Sequence, residues 1–79
     1  MEFNLGASEN QYESFYCGKN TWVNLCKEKK EDGYCWGHNL MSWAGHTYNR
    51  ELTTLRNASK SIKMGPYYPS NAGAVNLYD

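Results

Sequence analysis

The sequence predicts a small, mainly α-helical domain of three or four helices with extended N- and C-terminal segments. Three observations point to it: apolar residues recur at helical spacing in several windows, good cap residues open those windows, and glycines or a Gly-Pro pair close them. Seventy-nine residues make one domain over 1–79, with 66–79 as an extended tail.

Residues 1–7 read as extended, because Phe3 and Leu5 alternate with polar neighbours. Ser8 then caps a first helix, with Gln11 in the capping-box position. Tyr12, Phe15 and Tyr16 follow at one-face spacing with Cys17 beside them, and Gly18 weakens or stops the run. A second helix starts at Asn20 or Thr21 and places Trp22, Leu25 and Cys26 on one face. It ends in the charged run Lys27–Asp32, with Gly33 as a left-handed stop. A third, shorter helix spans His38–Ala44. The fourth, over 48–64, carries Tyr48, Leu52, Leu55 and Ile62 on one side, is capped by Thr47, and ends at Gly65-Pro66. In the tail, Val75 and Leu77 alternate as Phe3 and Leu5 do, so the two ends of the chain are candidates for a short terminal β-ribbon.

Composition bounds the core. A domain of this size hides only about 60–65% of the surface its unfolded chain exposes. Leu, Ile, Val and Phe together number 11, a fraction at which disorder becomes a question. Twelve aromatic residues and a formal net charge of zero argue against disorder and for a core built from rings. The surplus rings are expected at the surface. Balanced charge disfavours a basic nucleic-acid binder and an acidic mimic of one. Locally the balance is uneven: Glu2, Glu9 and Glu13 precede any cation, whereas Arg50, Arg56, Lys60 and Lys63 face Glu51 alone. Pairing of these two segments with each other is expected.

No stretch approaches the ~20 apolar residues of a membrane span, and no targeting segment is visible. The expectation is therefore a cytoplasmic protein, the host cytoplasm if phage-encoded, whose three cysteines form no structural disulfide.

Cys17, Cys26, Cys35 and His38 read C-x8-C-x8-C-x2-H, with His46 as a spare ligand. Three thiolates and an imidazole suffice for a tetrahedral zinc site. Over residues 17–38 this resembles the CCCH zinc fingers, a resemblance that implies zinc and single-stranded RNA binding between aromatic side chains. The family's second loop is shorter and its last gap is three residues. Reduced structural cysteines, with no cofactor, are the favoured reading. A helix-turn-helix outline is the other alternative: Leu40–Ala44, a turn at Gly45–Thr47 and the helix from Tyr48, with Asn49, Arg50, Thr53, Arg56, Asn57 and Lys60 on its outer side as residue types that read base edges. No nucleophile–base constellation, phosphate loop or spaced carboxylate pair points to an enzyme.

What remains is adhesive surface. Tyr67 and Tyr68 between Pro66 and Pro69, together with Trp36, Arg50, Arg56 and Lys60, form the expected contact set, since exposed rings and arginines anchor interfaces. The predicted function is a stoichiometric binder or inhibitor of a larger host protein or nucleoprotein. Nucleic acid alone is not favoured as partner, no membrane is involved, and a homodimer through surplus rings is the further option. In composition the chain is similar to phage and mobile-element accessory proteins, including anti-CRISPR inhibitors.

Overall fold

The computed structural model describes residues 1–33, 35–45, 47–66 and 73–79, and it replaces the expected helical domain with a mainly β one. Seven strands form among the described residues: β1 (Glu2–Asn4), β2 (Ser14–Cys17), β3 (Thr21–Cys26), β4 (Leu40–Ala44), β5 (Thr47–Glu51), β6 (Ser61–Pro66) and β7 (Val75–Tyr78). Helical backbone among the described residues is confined to three-residue 3-10 turns at Gly6–Ser8, Lys30–Asp32 and Gly37–Asn39.

Two antiparallel sheets are built, a four-stranded one in the order β1-β6-β3-β4 and a three-stranded one in the order β5-β2-β7. Register sorts every side chain of the larger sheet onto one of two faces. Phe3, Ile62, Leu25 and Met41 stand opposite one another across β1, β6, β3 and β4, and Met64, Val23 and Trp43 make the next such row. These rows face the smaller sheet, whose Phe15 and Cys17 complete the core with Leu52 and Leu55 from the connection after β5. On the opposite face Asn4, Ser61, Cys26 and Leu40 align.

The helical reading of β3 fails for a physical reason. Trp22, Leu25 and Cys26 fit a helix face, but Thr21, Val23 and Leu25 also alternate, and two of those three are β-branched, a type that packs well on a pleated surface. Leu52 lies just before, and Leu55 inside, hydrogen-bonded turns over 53–58, where Ala58 donates to the Leu55 carbonyl and Asn57 adopts φ 55°. The helix-turn-helix outline falls with its helices, because Leu40–Ala44 and Thr47–Glu51 are strands of different sheets. The terminal ribbon also fails to form: both ends are strands, but β1 pairs with β6 and β7 with β2.

Nor, among the described residues, is the core made of rings. Its fully buried members are Phe15, Cys17, Val23, Leu25, Leu52, Leu55 and Ile62, mostly aliphatic. Gly18 is not a helix stop. It sits where a Cβ would lie 2.6 Å from the Ala74 carbonyl oxygen, so only glycine lets β2 run on against the start of β7, where Gly18 N–H donates to that carbonyl at 2.7 Å.

The expected absence of a disulfide is likewise overturned. Cys26 at the end of β3 is bonded to Cys35, and the intervening chain folds over the outer face of the larger sheet. Cys17 remains a free, buried thiol whose Sγ donates to the Thr21 carbonyl, and burial raises its pKa. We expect the unreduced protein to show one thiol per chain on denaturation and essentially none while folded, against three after reduction. Titration with an aromatic disulfide reagent checks this; three reactive thiols before reduction would contradict the pairing.

Candidate functional site

The smaller sheet has three strands and the larger has four, so among the described residues one margin of the larger sheet's inner face is left without a cover. The exposures along one cross-strand row show where. Leu25 and Ile62 are 1% and 2% exposed, while Phe3, the next residue outward on β1, is 43% exposed. Beyond the edge of β7 lies an open slot of about 420 Å³. Its floor is Phe3, Leu5, Ile62 and Met64, and its far wall is the edge of β7 from Val75 to Tyr78.

That wall presents backbone as well as side chains. Gly18 N–H donates to Ala74, and antiparallel alternation from that point turns Asn76 and Tyr78 toward β2. Val75 and Leu77 therefore direct their N–H and C=O groups away from β2, into the slot. Neither pair has a hydrogen-bond partner among the described residues. Their side chains point inward and pack on the core, and Tyr78, 40% exposed, stands on the other face of the strand.

The connection after β5 is held to the start of the chain by polar contacts. Arg56 donates to Glu13 at 2.9 Å, and Lys60 donates to Asn10 at 3.2 Å, so the acidic start and the basic stretch do meet. The hydrogen bond from Arg56, then its charge, then a bond from Asn57 hold the Glu13 carboxyl below the usual glutamate range. A lowered carboxyl pKa contributes stability that is fully present above the unfolded value and is lost as pH falls through the folded one. We expect the Glu13 carboxyl carbon to titrate at lower pH in the native protein than in an Arg56→Ala variant, as followed by NMR. Equal midpoints would mean the pair is not formed.

The expected contact residues do not form one surface. Trp36 is 61% exposed but lies in the segment over the outer face, Arg56 is engaged with Glu13, and Lys60 lies beside Asn10. Tyr67, Tyr68 and His46 fall outside the described residues, as does the side chain of Arg50, whose backbone on β5 is in register with Phe15. The four zinc candidates are not gathered. Cys26 and Cys35 are bonded to each other, Cys17 is in the core between the sheets, and no group of three or more potential ligands occurs among the described residues. The residues that do line the slot, Phe3, Val75 and Leu77, carried one signal in the sequence: the matched alternation at the two ends of the chain.

No helix among the described residues is long and apolar enough to cross a membrane. No protein-family model matches the chain, and no curated protein or solved structure does either.

Proposed function

We propose that the protein is a stoichiometric binding module that captures an extended segment of a larger protein by adding it to the free edge of β7. The observation that carries this reading is the conjunction, among the described residues, of unpartnered backbone groups on Val75 and Leu77 with the uncovered apolar strip of Phe3, Leu5, Ile62 and Met64 beside them. An extended peptide satisfies both at once: its backbone pairs with the edge, and every second side chain enters the strip. The fourth strand brings the smaller sheet to the size of the larger.

The same geometry argues for a lone strand over a second copy of this protein. The β1–β6 margin extends past β7, and a second copy placed edge to edge on β7 would bring its own overhanging margin into that space. Specificity resides in the inward-facing positions of the segment, where aliphatic residues fit and charged ones would be buried without a partner.

The test uses a panel of eight-residue peptides with aliphatic residues at alternate positions, and scrambled controls, measured by calorimetry. We expect alternating peptides to bind, and Val75→Pro to weaken binding at least tenfold. Proline at this position removes an outward N–H without removing a bond to β2, and the first residue of an edge strand tolerates it. Phe3→Ser is expected to act similarly at little cost in stability, and Trp36→Ala to leave binding unchanged. Equal binding by scrambled peptides, or loss on Trp36→Ala alone, would reject the slot as the site.

A further inference from the structure

We infer that the Cys26–Cys35 disulfide fastens the floor of the slot, so that its reduction loosens β1 and weakens strand capture. The consequence for capture rests on the proposed function; the fastening of β1 stands on the bonds below.

The segment between Cys26 and Leu40 crosses the outer face of the larger sheet and is tied to it strand by strand. Cys26 on β3 holds it through Cys35, and Ser61 on β6 donates to the Glu28 carbonyl at 2.6 Å. Lys27 N–H donates to the Asn39 carbonyl at 2.8 Å, closing the segment at its base. On β1 the tie is Asn4. Its amide oxygen accepts from the Lys30 N–H at 2.7 Å, and its amide nitrogen donates to both carboxylate oxygens of Glu31 at 2.9 Å. Asn4, Ser61 and Cys26 are consecutive cross-strand neighbours, so these fastenings form one row across three strands.

β1 depends on that row more than its neighbours do. It is three residues long and pairs with one strand only, β6. Its inward residue Phe3 and the adjoining Leu5 line the slot, while Asn4 between them points outward into the tethered segment. The sequence between Cys26 and Cys35, Lys27-Glu28-Lys29-Lys30-Glu31-Asp32-Gly33-Tyr34, is charged at its first six positions and carries a single ring. The covalent bond adds to the Ser61 and Asn4 hydrogen bonds in keeping it against the sheet.

The chemistry is an exchange with a dithiol reductant. One thiolate of the reductant attacks the Cys35 sulfur, the less buried of the two residues, and the Cys26 sulfur leaves and takes up a proton. The second thiolate then attacks the mixed disulfide, releasing Cys35 as a thiol and closing the reductant's own disulfide. Two electrons and two protons pass to the protein. Cys17 takes no part, since it lies between the sheets while Cys26 aligns with Ser61 and Leu40 on the outer face.

Amide hydrogen exchange on the full chain tests this, with dithiothreitol as reductant. Leu5 N–H, bonded to Lys60, and Met64 N–H, bonded to Met1, report on β1. We expect both to exchange at least tenfold faster after reduction, with the Tyr16 and Asn76 amides of the other sheet changed less than twofold. Asn4→Ala, which leaves the disulfide intact, is expected to accelerate the same two amides. The best peptide of the panel should bind at least tenfold more weakly to the reduced protein. Unchanged Leu5 and Met64 amides would overturn the inference, and so would acceleration shared equally by both sheets. A lack of peptide binding to the oxidised protein rejects the proposed function alone, because the exchange readout does not involve a peptide.

Discussion

Replacing Cys35 by alanine is expected to lower the thermal unfolding midpoint by roughly 10–20 °C under non-reducing conditions. The bridge joins residues nine apart in sequence. In the chain-entropy account, closing a loop of that size restricts the unfolded ensemble by roughly 2.5–3 kcal/mol. Against that stands a domain of 79 residues, for which total stability is on the order of 4–12 kcal/mol. Native contacts add to the loss, since the Ser61 and Asn4 bonds to the crossing segment hold only while that segment stays in place. Calorimetry checks the value, and the internal control is decisive: reductant should shift the midpoint of the wild-type protein to that of the variant and leave the variant where it is. A variant with an unaltered midpoint would show that the bond does not form.

Leu25→Ala carries the second large effect, expected at about 2–5 kcal/mol from denaturant unfolding. Leu25 is 1% exposed at the centre of the larger sheet, between Ile62 on β6 and Met41 on β4. It shares the core cluster with Phe15, and the size of the loss depends on how far neighbours such as Met41 relax into the vacated space. The adjacent Asn24→Ala change should cost about 1 kcal/mol or less, the value of one exposed hydrogen bond from Ser42. This contrast between successive residues tests the period-two burial of β3. A helix carrying Trp22, Leu25 and Cys26 inward would make Trp22 as critical as Leu25. Here Trp22 covers Gly65 on the outer face, where its indole would lie 2.7 Å from any Cβ at that position.

The helical prediction had reasons, and they show which signals mislead in a chain with so few aliphatic residues. Where apolar positions are sparse, spacings of three and four arise in short strands as well as in helix turns. Leu52 and Leu55 owe their spacing to turns that anchor a connection in the core, a structure that repeats locally like a helix without continuing as one. Turn chemistry was the better guide. Asn10, Asn20 and Asn57 adopt positive φ, as do Gly6, Gly33, Gly37 and Gly45, and together they divide the chain into pieces of strand length. Gly33 was legible as a left-handed stop, but what it terminates is one 3-10 turn.

The slot was half legible. Alternation of Phe3 with Leu5 and of Val75 with Leu77 marks both walls as strands, and the tempting step was to pair them. Pairing between strands so far apart in the chain depends on what else competes for each edge. Here β6 takes β1 and β2 takes β7, and the space between the two terminal strands is the proposed site. The disulfide was not legible, because its formation follows from the return of the chain across the sheet. Three cysteines at equal spacing allow more than one pairing, and the fold places Cys17 on the opposite side of the larger sheet from Cys26.

The measurement that bears most directly on strand capture is the exchange of the Val75 and Leu77 amides with and without a saturating alternating peptide. Both amides face the slot, and pairing with an added strand is expected to slow them at least tenfold while the Asn76 amide, already bonded to β2, changes little. Slowing of Val75 and Leu77 together is the result the slot predicts; a peptide that binds and leaves both at their free rate would contradict it.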